Sequence, residues 1–155
     1  WGESMSGGVQ SFLARALASF TGGPSTTVRG AVVSVGNDAG DLDSLVSAVA
    51  FAEWQQAVTP PSTEVLFVPL APFARRDFRL RTDATLLFEH CGLELDAAGA
   101  PLSLLHLDEV GAAAAAWQGG GAGAGALGLA LVDHNACVPG VRTLLGERVV
   151  AIIDH

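Results

Sequence analysis

The chain has 155 residues, half of them apolar and 15% charged, which is enough for one folded α/β domain and too apolar for wholesale disorder. Its formal net charge is −8 and all eight basic residues are arginine, which excludes the basic face that a general nucleic-acid or anionic-membrane surface requires. A phosphate-bearing substrate would have to be drawn in by bound metal or by a local arginine cluster.

No run of about 18 uncharged apolar residues occurs, so no membrane span is expected. Residues 1–8, beginning at Trp1, read as disordered or as the start of a fragment. From residue 5 to residue 20 there is one arginine, Arg15, and no acid, a pattern faintly similar to an organellar transit peptide. Val9, Phe12, Leu13, Ala16, Leu17 and Phe20 nevertheless recur at helical spacing. They predict a packing helix over residues 9–20 of a cytoplasmic protein, stopped by Thr21-Gly22-Gly23-Pro24. An apolar run predicts a first strand over residues 28–35, and a helix follows over 43–57 with Asp41 or Asp43 at its N-terminus. Pro60-Pro61 breaks the chain before a second strand over 64–70. Next comes the basic cluster Arg75, Arg76, Arg79 and Arg81, after which Thr82 or Asp83 can cap a helix ending at Cys91-Gly92. A third strand is predicted over 102–107. The Ala/Gly-rich insert around residues 111–128 divides into a helical alanine run and a flexible loop. Fourth and fifth strands, 127–132 and 149–153, end in Asp133-His134-Asn135 and Asp154-His155. Cys91 and Cys137 form no CxxC pair and read as two buried thiols of a reducing compartment.

Apolar strands alternating with helices predict an α/β fold, a parallel sheet of about five strands with helices on both faces. Ligands of such sheets sit beyond the carboxyl ends of the strands. Three predicted strands deliver acids to that edge, the first through Gly36-Asn37-Asp38-Ala39-Gly40-Asp41-Leu42-Asp43-Ser44. Crowded carboxylates repel one another and require a cation. Asn37, Asp41, Asp43, Asp133, His134, Asp154 and His155 offer oxygen and imidazole donors suited to Mn²⁺, Mg²⁺, Co²⁺ or Zn²⁺. Several carboxylates can hold two ions about 3.5–4 Å apart, polarising a phosphoryl oxygen and holding a hydroxide between them. The reaction implied is hydrolysis of a phosphoanhydride or phosphoester. Arg76 and Arg81 are candidate contacts for substrate phosphate, with His134 and Asn37.

Each group also has a plainer reading. Asp41 and Asp43 can serve as helix-capping acids, and Asp133-His134 can be an ordinary turn. His90 falls late on a helix, His106 reads as a hydrogen-bonded core histidine, and Trp54 and Trp117 read as packing residues. Dinucleotide binding is excluded, because the glycines do not form G-x-G-x-x-G, and a chain without lysine cannot form a P-loop.

Gly36 to Ser44, then Asp133-His134-Asn135, then Asp154-His155 resemble successive motifs of the DHH phosphoesterase superfamily, closest to its exopolyphosphatase and prune-like branch. Val68-Pro69-Leu70, the arginine cluster and the stretch from Leu104 to Asp108 are similar to that branch too. The resemblance implies that residues 9–155 are the N-terminal portion of a catalytic domain using two Mn²⁺ or Mg²⁺ ions. By position, Asp41 and Asp43 would be metal ligands and Asp133 a bridging ligand. His155 would be the first histidine of an Asp-His-His motif, with Asp154 beside it. Asn37 stands where the pyrophosphatase branch carries a metal-binding histidine, which favours exopolyphosphatase activity over inorganic pyrophosphatase. The expected partner is a phosphate-rich small molecule or inorganic polyphosphate, with no nucleic acid or membrane. The second histidine and a C-terminal substrate domain are expected beyond residue 155, which would leave this piece feeble or inactive. The alternatives are a prune-like regulatory or scaffold protein, with vestigial or cyclic-nucleotide phosphodiesterase activity, an inorganic pyrophosphatase, and a nuclease of the same superfamily.

Overall fold

The computed structural model describes residues 5–118 and 126–154. Its centre is a five-stranded, wholly parallel sheet of order β3-β2-β1-β4-β5. The strands are β1 (Gly30–Val35), β2 (Val65–Ala71), β3 (Leu105–His106), β4 (Ala126–Val132) and β5 (Val149–Ile153). The helices are α1 (Met5–Gly22), α2 (Leu42–Val58), α3 (Thr82–His90), α4 (Val110–Gln118) and α5 (Pro139–Leu145). The chain winds from β1 through β2 to β3 at one edge, then returns by α4 to β4 on the other side of β1 and continues outward to β5. That reversal puts α2 and α3 on one face of the sheet and α4 and α5 on the other, where α1 also packs against α4.

The apolar runs become buried strands because both faces are covered: in β2 six successive residues from Leu66 to Ala71 are buried. The α2 helix reaches the sheet through small residues, with Ala48 and Ala52 buried on its inner side. The fully buried hydroxyl of Ser34 donates to the Ala48 carbonyl at 2.8 Å, locking β1 to that helix. On the other face, Trp117 stacks on Phe20 with centroids 5.8 Å apart, and its Nε1 donates to the Phe20 carbonyl at 2.9 Å. Trp54, by contrast, is exposed.

Several expectations change. The third strand contains only Leu105 and His106, because the guanidinium of Arg75 takes the carbonyls of Pro101 and Leu104 at 3.1 and 2.7 Å and turns the preceding segment off the ladder. This shortness also accommodates Pro69, since β3 pairs with β2 only at Leu70 and Ala71. Pro139 starts α5, a seven-residue helix that no sequence signal singled out. Cys91 is exposed at the end of α3, and Cys137 is partly buried, so the two thiols are not a buried pair. His106 is fully buried, as expected of a core residue. It is not hydrogen-bonded, however: among the described residues neither ring nitrogen has a partner. It packs edge-on against Phe73 and Phe78, each 5.8 Å away. The alanine run forms α4, whereas the expected flexible loop falls largely outside the described residues. Among the described residues no helix is long and apolar enough to cross a membrane.

Candidate metal centre

The sheet reverses its winding direction between β1 and β4, which pair along their whole length from Gly30–Ala126 to Val35–Leu131. Helices diverging to opposite faces leave a crevice beyond the carboxyl ends of these two strands. The segment after β1 carries Asn37, Asp41 and Asp43 into it, and the residue after β4 is Asp133. One carboxylate oxygen from each of Asp41, Asp43 and Asp133 lies within 4.8 Å of the others. Two residues at the start of α2 and one just past the end of β4 thus form a single acidic cluster.

Local backbone chemistry directs these groups. Asn37 closes a turn by accepting the Gly40 amide on Oδ1 at 3.0 Å, while its own amide donates to the buried Ser44 hydroxyl at 2.6 Å. Its side-chain amide bridges the two strand ends, with Nδ2 donating to Asp133 Oδ2 at 2.9 Å and to Asp41 Oδ1 at 3.3 Å. Gly36 is buried against the next turn, where a Cβ would meet the Ser44 hydroxyl and lie 2.8 Å from the Ser44 carbonyl oxygen. Asp41 occupies the N-cap of α2, yet its carboxylate makes no capping hydrogen bond to that helix. The plain capping role therefore does not use this side chain, which faces the cluster instead. Asp43 lies in the first turn, where the helix dipole favours negative charge. Asp133 has φ 63°, in the left-handed region that aspartate tolerates better than most residues, and its amide donates to the Ile153 carbonyl at 2.8 Å. That bond draws the end of β5 to the crevice.

His134 Nδ1 lies 2.9 Å from the Val132 carbonyl, which can only accept, so Nδ1 carries the proton. Its Nε2 is buried without a hydrogen-bond partner among the described residues, and as a lone-pair donor it suits a metal or a proton from substrate. Asp154 is exposed just past β5, and His155 lies outside the described residues. Arg76 is exposed, with Nε 3.9 Å from Asp77. Arg81 is half-buried against the back of the acidic loop, with hydrogen bonds to three backbone carbonyls. Burial lowers its pKa, against the charges of Asp77, Asp83 and Asp41, but a guanidinium stays protonated at any physiological pH. Arg75, from the same cluster, turns the other way and pairs with Asp96 at 3.2 Å and with Glu109.

The donor set fits a hard divalent cation: one carboxylate oxygen from each of three aspartates converges, and the Asn37 side-chain amide bridges two of them. Sequence reasoning missed Ser44 as the anchor of the loop, although its place at the end of the acidic motif was a usable signal. Nothing in the sequence marked Phe73, whose ring lies beneath Arg81.

The chain is 32% identical over 123 residues to "Exopolyphosphatase PRUNE1" of Rattus norvegicus, and equally to those of Bos taurus and Mus musculus. The matched stretch is 79% of this chain and 24% of each relative, so the chain spans about a quarter of the proteins it matches. No family model matches it.

Proposed function

The chain is a remote homologue of the prune-like exopolyphosphatases of the DHH superfamily, and from that premise we propose that it carries the metal-binding part of a divalent-metal-dependent phosphohydrolase. The observation that carries this reading is the convergence of Asp41, Asp43 and Asp133 at the switch point of the sheet, with the Asp41 carboxylate unused by its own helix. Asp41, Asp43 and Asp133 would hold Mn²⁺ or Mg²⁺, two ions in the intact protein, and the chemistry such ions supply is Lewis-acid polarisation of a phosphoryl oxygen and activation of water.

The protein's own groups do the rest. Asn37 fixes the distance between the two strand ends by donating to a carboxylate from each. His134, with its proton on Nδ1, keeps a lone pair on Nε2 that could accept a proton or bind a cation. Arg76 is highly exposed, with only a long 3.9 Å contact to Asp77, and is the arginine of the cluster proposed as a phosphate contact. With a net charge of −8, cations at the centre are what would let a polyanion approach. The substrate proposed is inorganic polyphosphate or a short phosphoanhydride.

The test is Mn²⁺-dependent phosphate release from polyphosphate, pyrophosphate and a cyclic nucleotide by the full-length protein, with Asp43→Ala beside it. Removing one ligand and leaving its like-charged neighbours is expected to lower the rate at least ~10²-fold. A variant as active as the wild type would sink the assignment. Wild-type turnover confined to the cyclic nucleotide would move the substrate class.

A further inference from the structure

The loop that delivers Asp41 and Asp43 is held from behind by one side chain. Arg81, 41 residues further along the chain, donates from Nε to the Gly40 carbonyl at 2.7 Å and from Nη2 to the Ala39 carbonyl, also at 2.7 Å. Its Nη1 donates to the Asp77 carbonyl at 3.1 Å, tying the guanidinium to its own turn. The flat face of the same group lies over the Phe73 ring, with the central carbon 3.5 Å from the ring centroid. The planar guanidinium stacks flat on the ring while two of its nitrogens reach adjacent carbonyls; a lysine ammonium has no flat face and carries all its donors on one nitrogen, so it cannot reproduce both at once.

Gly40 completes the joint. It has φ +57°, and a Cβ there would meet the Phe73 ring, 2.7 Å from Cδ1, and lie 3.3 Å from Arg81 Nε. Only glycine lets the loop, the ring and the guanidinium close on one another. The two carbonyls gripped by Arg81 belong to the residues immediately before Asp41, so a change in their direction rotates the Asp41 side chain directly.

We propose that Arg81 is a positioning residue for the metal centre: its fork on the Ala39 and Gly40 carbonyls, backed by Phe73, holds the acidic loop in the conformation in which Asp41 and Asp43 meet Asp133. This rests on the metal-centre reading above and gives Arg81 a role through the loop rather than on the phosphate. It predicts that charge alone at position 81 is insufficient. A lysine would keep the charge for a phosphate contact but lose the fork.

The experiment measures Mn²⁺ affinity by titration calorimetry without substrate, together with kcat and KM at saturating Mn²⁺, for the full-length wild type, Arg81→Met, Arg81→Lys and Phe73→Leu. Arg81→Met and Arg81→Lys are both expected to weaken Mn²⁺ binding about 10–100-fold. KM for the phosphate substrate is expected to stay unchanged once metal is saturating. Phe73→Leu, which leaves the carbonyl bonds in place, is expected to lose about two- to tenfold in Mn²⁺ affinity, and it carries the test if neither Arg81 variant folds. Unchanged Mn²⁺ affinity in the folded variants overturns the inference, and with a raised KM it makes Arg81 a substrate contact. Retention of affinity by Arg81→Lys alone overturns the fork in favour of simple charge. A wild type that takes up no Mn²⁺ overturns the metal-centre reading, and the positioning role with it.

Discussion

At the scale of single residues, His106 is the group whose surroundings differ most from its ordinary chemistry. It is fully buried between Phe73 and Phe78, and burial, with the nearby charge of Arg75, pulls its pKa from 6.5 down to about 4, against smaller opposing effects of Glu109, the Phe73 backbone and Asp108. The folded state therefore refuses a proton that the unfolded chain accepts. Its contribution is fully present above pH 6.5 and is lost as pH falls toward about 4. The slope in that window is about 1.4 kcal/mol of stability per pH unit. Urea denaturation at pH 7, 6 and 5 should show this slope in the wild type and its loss in His106→Leu, which fills a similar volume without titrating. Identical pH slopes in the two proteins would show that the histidine is not kept neutral. The position was legible in the sequence as an apolar strand residue. Its missing hydrogen bonds were not, because they depend on two aromatic rings brought from the turn after β2.

At the scale of elements, the arginine cluster divides its work between two junctions. Arg81 serves the acidic loop. Arg75 joins the turn Arg75–Leu80, the Asp96 loop, the segment before β3 and the start of α4, through Asp96, Glu109 and two carbonyls. Hydrogen bonding to Glu109 is the main influence that raises its pKa, outweighing burial. With side-chain exposures of 21% for both Arg75 and Asp96, this is a sheltered junction rather than a solvated surface pair. Arg75→Met removes the guanidinium from two carboxylates and two carbonyls and is expected to destabilise the fold by about 2–3 kcal/mol in urea denaturation. Arg75→Lys is expected to recover only part of that loss, as a point charge without the fork. A change below about 0.5 kcal/mol in Arg75→Met would mean that apolar packing alone holds the junction. From sequence these arginines looked alike. Their assignment to different neighbours is decided by tertiary contacts, Asp96 and Glu109 for Arg75 and the Ala39 and Gly40 carbonyls for Arg81.

At the scale of the whole molecule, metal binding at the proposed centre would be coupled to folding. Three carboxylates on two separate strand ends can share an ion only in the folded state, so binding stabilises that state by mass action. At Mn²⁺ about 100-fold above its Kd, the gain is about 2.7 kcal/mol. For a chain of this length that raises Tm by roughly 5–10 °C. Thermal melts with Mn²⁺, with NaCl of equal ionic strength, and with Asp43→Ala should show the rise only for wild type with Mn²⁺. Equal melting temperatures under all three conditions would argue that the cluster is a solvated acidic surface. The edge strand β5 belongs to this scale too. Val150 and Ile152 are 51% and 55% exposed, in contrast to the buried central strands, so the sheet has an apolar edge beside the centre.

The sequence by itself determined the order of apolar strands and helices, the α/β class and the acidic motif at the end of the first strand. Those features are written in local periodicity and in the residue types next to each strand, and they survive in almost any arrangement of the sheet. Only the tertiary structure decided which strands are neighbours. Strand order depends on the direction and hand of each crossover, which no local pattern encodes, and it is that order which brings Asp133 to Asp41 and Asp43. It also decided that Arg81 and Phe73 stand behind the loop, through contacts between residues 41 positions apart that periodicity cannot register.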